Sequence, residues 1–415
     1  MKSVGIIGGG INGLFTAYYL VQAGCDVTLL EQSTFEDGCS YGNAGMIVPS
    51  HIIPLAQPGM IAKGIRWMMS SESPFYVKPR LNYDLAKWGY LFWKHSTPRH
   101  VAYAIPLLRD ISLLSRELFK ELATRNDFAF GWEEKGLLML FKEEAARHEL
   151  EEEARVAIQA GIEAQVLSGR EVQSLEPDVR VDVAGGVYYP GDAHIYPNQL
   201  IAGLITYLRN AGVRLLAGQE VTGFERQGEA IKKVVTVNGA FEFDEIVLAT
   251  GAWSPVLAKH LGVSLPLQGG KGYSFMGDPG KHRIKVPAIM LEARATATPM
   301  GGGVRFAGTL EVAGTDQSIN MSRVKGIHSA IHRYYPDLSI DYPEKEAVWR
   351  GLRPCSPDGL PYIGRVEGVA NATVATGHGM MGVSLGPATG KLVAELITGK
   401  ATSMDISAFD PQRFG

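Results

Sequence analysis

The chain has 415 residues, length enough for two to three domains and a large buried core. Lys plus Arg number 40 and Asp plus Glu 43, a net charge of −3 that argues against nucleic acid held by a broad basic field. Hydrophobic residues make up 46% and charged residues 20%, which excludes a disordered chain, and 49 glycines without a G-x-y repeat point to tight turns and ligand-approach loops.

In chain order, Ser3 to Ile7 reads as a short buried strand. It begins two residues in, so no cleavable leader is expected. Gly8-Gly9-Gly10-Ile11-Asn12-Gly13 follows, matching G-x-G-x-x-G at Gly8, Gly10 and Gly13. A helix with Leu14, Ala17, Tyr18 and Val21 on one face comes next, stopped at Gly24. Asp26 to Leu30 is a second apolar strand, closed by Glu31 and Gln32. A lone glycine motif is weak, but strand, turn, helix, strand and acid in order make a dinucleotide site. Gly8 allows the turn, Gly10 the close approach of a pyrophosphate, and Gly13 the packing of helix on strand. Glu31 would take ribose hydroxyls. The motif does not separate FAD from NAD.

Residues 40 to 49 (SYGNAGMIVP) form a loop of small residues, starting at Ser40. Residues 56 to 95 are rich in aromatics, among them Trp67, Phe75, Tyr76, Tyr83, Trp88, Tyr90, Phe92 and Trp93. Helical core packing is the expectation there, with a lid or membrane-facing segment as the alternative. Amphipathic helices are expected over 103 to 124 and 143 to 160, with a strand at Gly136 to Phe141 between them. Residues 185 to 190 read as a strand, Pro197 to Ala211 as a helix, and 213 to 249 as strands with a hairpin at Asn238-Gly239. The last strand runs into Thr250-Gly251-Ala252-Trp253. Residues 265 to 315 read as antiparallel strands, and Gly301 to Gly303 as a hairpin tip. No apolar run is long enough to span a bilayer. Cys25, Cys39 and Cys355 are widely spaced, so bystander thiols in a reducing compartment, the cytoplasm, are expected.

Two C-terminal segments carry chemistry: Trp349 to Arg365 (WRGLRPCSPDGLPYIGR) and Thr376 to Lys391 (TGHGMMGVSLGPATGK). The second repeats G-x-G-x-x-G, but too little chain follows for another dinucleotide fold. A glycine turn feeding a helix N-terminus would stabilise negative charge there. Electrons are therefore expected from a small substrate rather than from NAD(P)H.

The N-terminal fingerprint, SYGNAGM, LATGAWS, WRGLRPCSPDGLPYIG and TGHGMMG together resemble the FAD-dependent amine oxidoreductases of the D-amino-acid oxidase type. The stretch Ile65 to Met68, KGYS at Lys271 to Ser274 and the two C-terminal motifs are most similar to the D-amino-acid dehydrogenases within them. The resemblance implies an α/β fold, a Rossmann-like FAD-binding domain interleaved with an α+β substrate domain built on an antiparallel sheet. The expected division is 1–55, 192–262 and 346–415 for the first, and 56–191 and 263–345 for the second.

FAD would be non-covalent, because Gly351 stands where covalent relatives place a cysteine. Beside the fingerprint, Ile11 and Asn12 included, the resemblance puts Asn43, Ala44, Gly45, Met46 and Ile47 along the ribityl chain and ring. Val221 would lie by the adenine, Thr250, Gly251 and Trp253 by the pyrophosphate and ring, and Gly379, Met380, Met381, Gly382 and Val383 at the pyrimidine edge. Arg353 would bind the substrate carboxylate as a bidentate fork. A salt bridge from Arg353 to Asp358 or to the last helix is the structural alternative. His51, His378 and Arg294 are further polar candidates, Arg294 falling where the dehydrogenases carry a tyrosine. The implied reaction is oxidative deamination of D-amino acids, cyclic ones such as D-proline or cis-4-hydroxy-D-proline included, with a quinone or oxygen as acceptor. The alternatives are a glycine- or sarcosine-type oxidase and a flavin-binding subunit of a larger dehydrogenase. Peripheral contact with the inner face of the cell membrane and a homo-oligomer are compatible with the sequence.

Overall fold

The computed structural model describes residues 1–67, 75–77, 82–125 and 128–414. Met68, the last residue of the Ile65 to Met68 stretch, lies outside the described residues.

Apolar segments at the start, middle and end of the chain meet in one six-stranded sheet. Its order is Tyr362–Arg365, Ala372–Thr376, Glu245–Leu248, Ser3–Ile7, Asp26–Leu30, Arg214–Leu216. All neighbours run parallel except the first two, which pair antiparallel. The central strands are nearly continuous runs of aliphatic residues, as parallel strands covered on both faces must be. Helix Ile11–Gln22 makes the first crossover, and helix Gly386–Thr398 packs beside it with Gly390 against the Phe15 backbone. A small antiparallel sheet, Val221–Gln227, Ala230–Thr236 and Gly239–Phe241, hangs between two strands of the main one.

The second large sheet has nine strands among the described residues. Its main path is Trp349–Cys355, Gln268–Gly277, Gly303–Val312, Ala295–Met300, Ala288–Met290, Leu137–Phe141, Gly185–Tyr189, Gln165–Ser168. Most pairs are antiparallel, as expected, and the turn at Gly301 and Gly302 is the hairpin tip the sequence predicts. Two pairs are parallel: Ala288–Met290 with Leu137–Phe141, and Phe75–Val77 with Gly303–Val312. Parallel pairing joins segments that are distant in sequence, which local alternation cannot signal. One boundary in the expected division is corrected: Trp349–Cys355 falls within 346–415 yet pairs with Gln268–Gly277 in this sheet.

The aromatic segment divides by face. In helix Tyr83–His95, Trp88 and Phe92 are buried and stack on each other, but Tyr83 is 79%, Tyr90 59% and Trp93 62% exposed. Core packing therefore accounts for only one side of this helix. At the far end of the chain, Arg413 holds Asp358 through two hydrogen bonds of 2.7 and 2.9 Å and lies over the Tyr362 ring.

Candidate active site

A cavity of about 1110 Å³ is lined by residues of both large sheets. That exceeds what a small substrate alone needs and suits a dinucleotide with a substrate beside it.

Its first wall is the glycine turn. Gly8 has φ +107° and a Cβ there would meet the Ala249 carbonyl oxygen at 2.5 Å. A Cβ on Gly13 would meet the Gly8 carbonyl oxygen at 2.0 Å, so Gly13 packs helix on turn and does not itself line the cavity. Gly10 is the N-cap of helix Ile11–Gln22 and brings no side-chain cap, which leaves that helix end to serve an anion. Ser40 Oγ accepts the Ile11 N–H at 3.3 Å. Asn12 Oδ1 is a buried acceptor without a partner, and Trp349 Nε1 a buried donor without one. Both residues line the cavity. Glu31 lines it too, its carboxylate accepting the Gly9 N–H at 2.7 Å and the Ser33 N–H at 3.0 Å. Gly8, Gly10, Glu31, Gln32, Ser40, Asn43, Ala44, Met46, Val221, Thr250, Gly251, Trp253 and Gly351 line one continuous space with Gly379, Met380, Met381, Gly382 and Val383. A helix end without a side-chain cap of its own, with a glycine turn that leaves the backbone open beside it, fits a dinucleotide.

Two of the expected ribityl contacts, Gly45 and Ile47, do not line this cavity. Ile47 is fully buried in the core, because residues alternate across the short strand Met46–Ile47. Gly45 turns toward the Ile195 carbonyl rather than the cavity.

The second wall belongs to the nine-stranded sheet and carries Arg353. Its guanidinium lies against the Gly272 backbone, where a Cβ would meet Nη1 at 2.3 Å. Nη1 donates to the Thr309 carbonyl at 2.6 Å. No carboxylate pairs with it among the described residues, and the alternative partner Asp358 is taken by Arg413. Burial pulls the Arg353 pKa below its ordinary value, the cost of a cation without a counter-ion. Thr309 has φ +66°, and the other non-glycine residue in the left-handed region, Arg294, has φ +48°. Both line this cavity. Such backbone costs about 1–3 kcal/mol per residue and gathers at functional sites. Cys355, two residues after Arg353, stays a thiol, burial pushing its pKa up to about 11.

His51 and Arg294 line the cavity, and burial with the nearby Arg294 charge pushes the His51 pKa down to about 4. His378 is a correction to the expected polar candidates. It does not line the cavity: Asn12 Nδ2 donates to its Nδ1 at 3.0 Å and its Nε2 bonds Thr389 Oγ1 at 2.9 Å. Burial pushes its pKa down to about 3, so it stays neutral and structural. Thr309 and Gly272 were not singled out from the sequence. A left-handed threonine has no sequence signature, whereas Gly272 stands inside the KGYS stretch and was within reach.

The family model described as DAO, FAD dependent oxidoreductase, matches residues 3–396. A D-amino acid dehydrogenase of Granulibacter bethesdensis is 31% identical, covering 96% of this chain and 96% of its own length. One of Bradyrhizobium diazoefficiens is 30% identical over 99% of this chain and 98% of its own. Glycine oxidase from Geobacillus kaustophilus shares the fold with TM-score 0.80 and 25% identity, covering 100% of this chain and 99% of that one. L-proline dehydrogenase from P. horikoshii does so with TM-score 0.77 and 21% identity, covering 100% and 97%.

Proposed function

The chain belongs to the FAD-dependent oxidoreductase family, and on that footing we propose that it oxidises D-amino acids at the Cα–N bond. The observation that carries the reading is the cavity-lining Arg353 guanidinium, which no carboxylate neutralises among the described residues. A substrate carboxylate would supply the missing counter-ion and take the two-pronged geometry a guanidinium offers. Thr309 and Gly272 fix the fork from two sides, so the substrate binds in one orientation, with much of the rate coming from positioning.

Bound FAD supplies a two-electron acceptor. Gly8, Gly10, Ile11 and Asn12 would hold its pyrophosphate, Glu31 and Gln32 the ribose, and Asn43, Ala44, Met46 and Gly379 to Val383 the flavin end. The substrate loses a hydride from Cα and a proton from nitrogen. The resulting imine takes up water and yields a 2-oxo acid and ammonia, or stays cyclic when the substrate is proline-like.

The test is anaerobic mixing of the flavin-loaded protein with D- and L-alanine, D-proline, glycine and sarcosine while flavin absorbance is followed. Bleaching by D-amino acids, lost about 100-fold or more in Arg353→Ala with flavin content unchanged, is the expected result. Bleaching that survives Arg353→Ala overturns the role of Arg353. Bleaching by glycine or sarcosine in place of the D-amino acids makes the chain an amine oxidase of that type. Admitting air and measuring peroxide then decides between oxygen and a quinone as acceptor.

The exposed Tyr83, Tyr90 and Trp93 on one helix face support peripheral attachment to a membrane, where a quinone acceptor resides. No helix among the described residues is long and apolar enough to cross one. Co-sedimentation with anionic vesicles that Trp93→Ser and Tyr90→Ser abolish would support attachment.

A further inference from the structure

Behind the arginine pocket, on the other face of the nine-stranded sheet, lies a buried charged cluster. Lys271 and Tyr273 flank Gly272 on strand Gln268–Gly277. Side chains alternate across a strand, and the Gly272 position faces the Arg353 guanidinium, so Lys271 and Tyr273 point the other way. Tyr273 packs there in the core with Val324 and Ile327 of helix Met321–Tyr334. Glu311, from strand Gly303–Val312, meets both flanking residues: its Oε2 accepts the Tyr273 hydroxyl at 2.9 Å, and its Oε1 lies 3.6 Å from Lys271 Nζ. All three side chains are buried. Asp316 is a second carboxylate on Lys271, 3.2 Å from Nζ, and the Asn320 N–H donates to the Tyr273 oxygen at 3.2 Å.

The strand register shows what these contacts span. Lys271 stands opposite Glu311 and Tyr273 opposite Gly308, so one residue, Gly272, faces two, Thr309 and Leu310. That is a β-bulge, with Thr309 as its left-handed residue at φ +66°. Glycine suits such a position; threonine is strained there and stays only where its surroundings hold it. Thr309 drops out of register with strand Gln268–Gly277, and its carbonyl accepts from Arg353 Nη1 instead, at 2.6 Å. Glu311 ties together the two residues that bracket the bulge, one by each carboxylate oxygen. A buried ion pair adds little to stability, because desolvation offsets the attraction, but it fixes register and direction.

We propose that Glu311, through Lys271 and Tyr273, is a positioning residue for substrate binding: it locks the bulge that aims the Thr309 carbonyl at Arg353, and so holds the fork that receives the substrate carboxylate. The inference rests on Arg353 as the carboxylate site and adds that its geometry is set from the far face of the sheet.

Propionate, a carboxylate without the amine, probes the fork as a competitive inhibitor, with propionamide as the uncharged control. Its Ki is measured beside KM and kcat for the D-amino acid that bleaches the wild-type flavin fastest. The proteins are flavin-loaded wild type, Tyr273→Phe, Glu311→Gln, Arg353→Ala and the double variant of Tyr273→Phe with Arg353→Ala, with flavin content and melting temperature recorded. Tyr273→Phe removes one hydroxyl and keeps the ring; Glu311→Gln keeps the shape and sets an amide against the Lys271 ammonium. In each, Ki and KM are expected to rise together by about fivefold or more while kcat stays within about threefold and flavin content is unchanged. The second-order rate of anaerobic bleaching falls by the same factor in Tyr273→Phe, but by less than about twofold when Arg353 is already alanine, because the brace acts through that residue. A lower melting temperature with Ki and KM unchanged marks a purely structural brace and overturns the inference, as does an equal loss in both backgrounds. Should Glu311→Gln hold no flavin, Tyr273→Phe decides alone. If propionate inhibits wild type no better than propionamide, or Arg353→Ala leaves its Ki unchanged, the reading of Arg353 falls and this one with it.

Discussion

At the residue scale, the arginine pocket is set by what its neighbours lack. Gly272 has no side chain where the Arg353 guanidinium lies, so adding one methyl group must displace the fork. Gly272→Ala is expected to raise KM for the amino acid at least about tenfold, a cost of about 1.4 kcal/mol, while flavin binding stays unchanged; steady-state kinetics beside the flavin absorbance ratio decide it. Arg353 was legible because it stands in a motif; Gly272 stands in one too, but nothing in the sequence shows what lies against it. Thr309 was not legible, because its left-handed backbone follows from the strands around it and not from its type.

His378 teaches the reverse lesson. Its glycine-flanked motif suggested chemistry, yet its two ring nitrogens are spent on Asn12 and Thr389. Its pKa is about 3 in the fold against an ordinary 6.5, so the unfolded chain binds the proton more readily between those values. The stability this group contributes is fully present above about pH 6.5 and drains away as pH falls toward 3. Melting temperatures from pH 7 to pH 4 should therefore fall more steeply in wild type than in His378→Gln.

At the element scale, the position of helix Ile11–Gln22 decides whether an anion meets its N-terminus. That position is set from behind by helix Gly386–Thr398, whose Gly390 would drive a Cβ to 2.4 Å from the Phe15 carbonyl carbon. Gly390→Ala is expected to push the helices apart, costing about 1–3 kcal/mol of stability and weakening flavin retention on a desalting column. Retention equal to wild type at unchanged melting temperature would refute it. Helices and strands were largely readable here, since both large periodic patterns sit in contiguous sequence. The parallel pairs that close the nine-stranded sheet were not, because they join stretches more than a hundred residues apart. The face of helix Tyr83–His95 that carries Tyr90 and Trp93 was misjudged for a related reason: aromatic content alone does not say what, if anything, lies opposite.

At the scale of the whole molecule, one cavity draws its walls from both sheets, so the occupant of that cavity contributes to holding them together. A group that binds only the folded chain stabilises it by mass action, by about 2.7 kcal/mol at a hundred times its dissociation constant. Stripping the flavin should lower the melting temperature, and adding FAD back should raise it in step with the logarithm of FAD concentration. The Rossmann-like half was legible from thirty residues. Its dependence on the rest was not, because the strands completing it come from the middle and the end of the chain.

That arrangement bears on how the protein is made. Strand Ser3–Ile7 leaves the ribosome well before its neighbour Glu245–Leu248, and Ala372–Thr376 comes later still. At about 5–20 residues per second, this apolar strand–helix–strand unit waits roughly 20–70 s for its sheet to close. During that wait its buried face is open to solvent and to other nascent chains. A holding chaperone at the tunnel exit, or a slower growth temperature, should then matter more to the yield of this protein than to one whose domains follow each other along the chain.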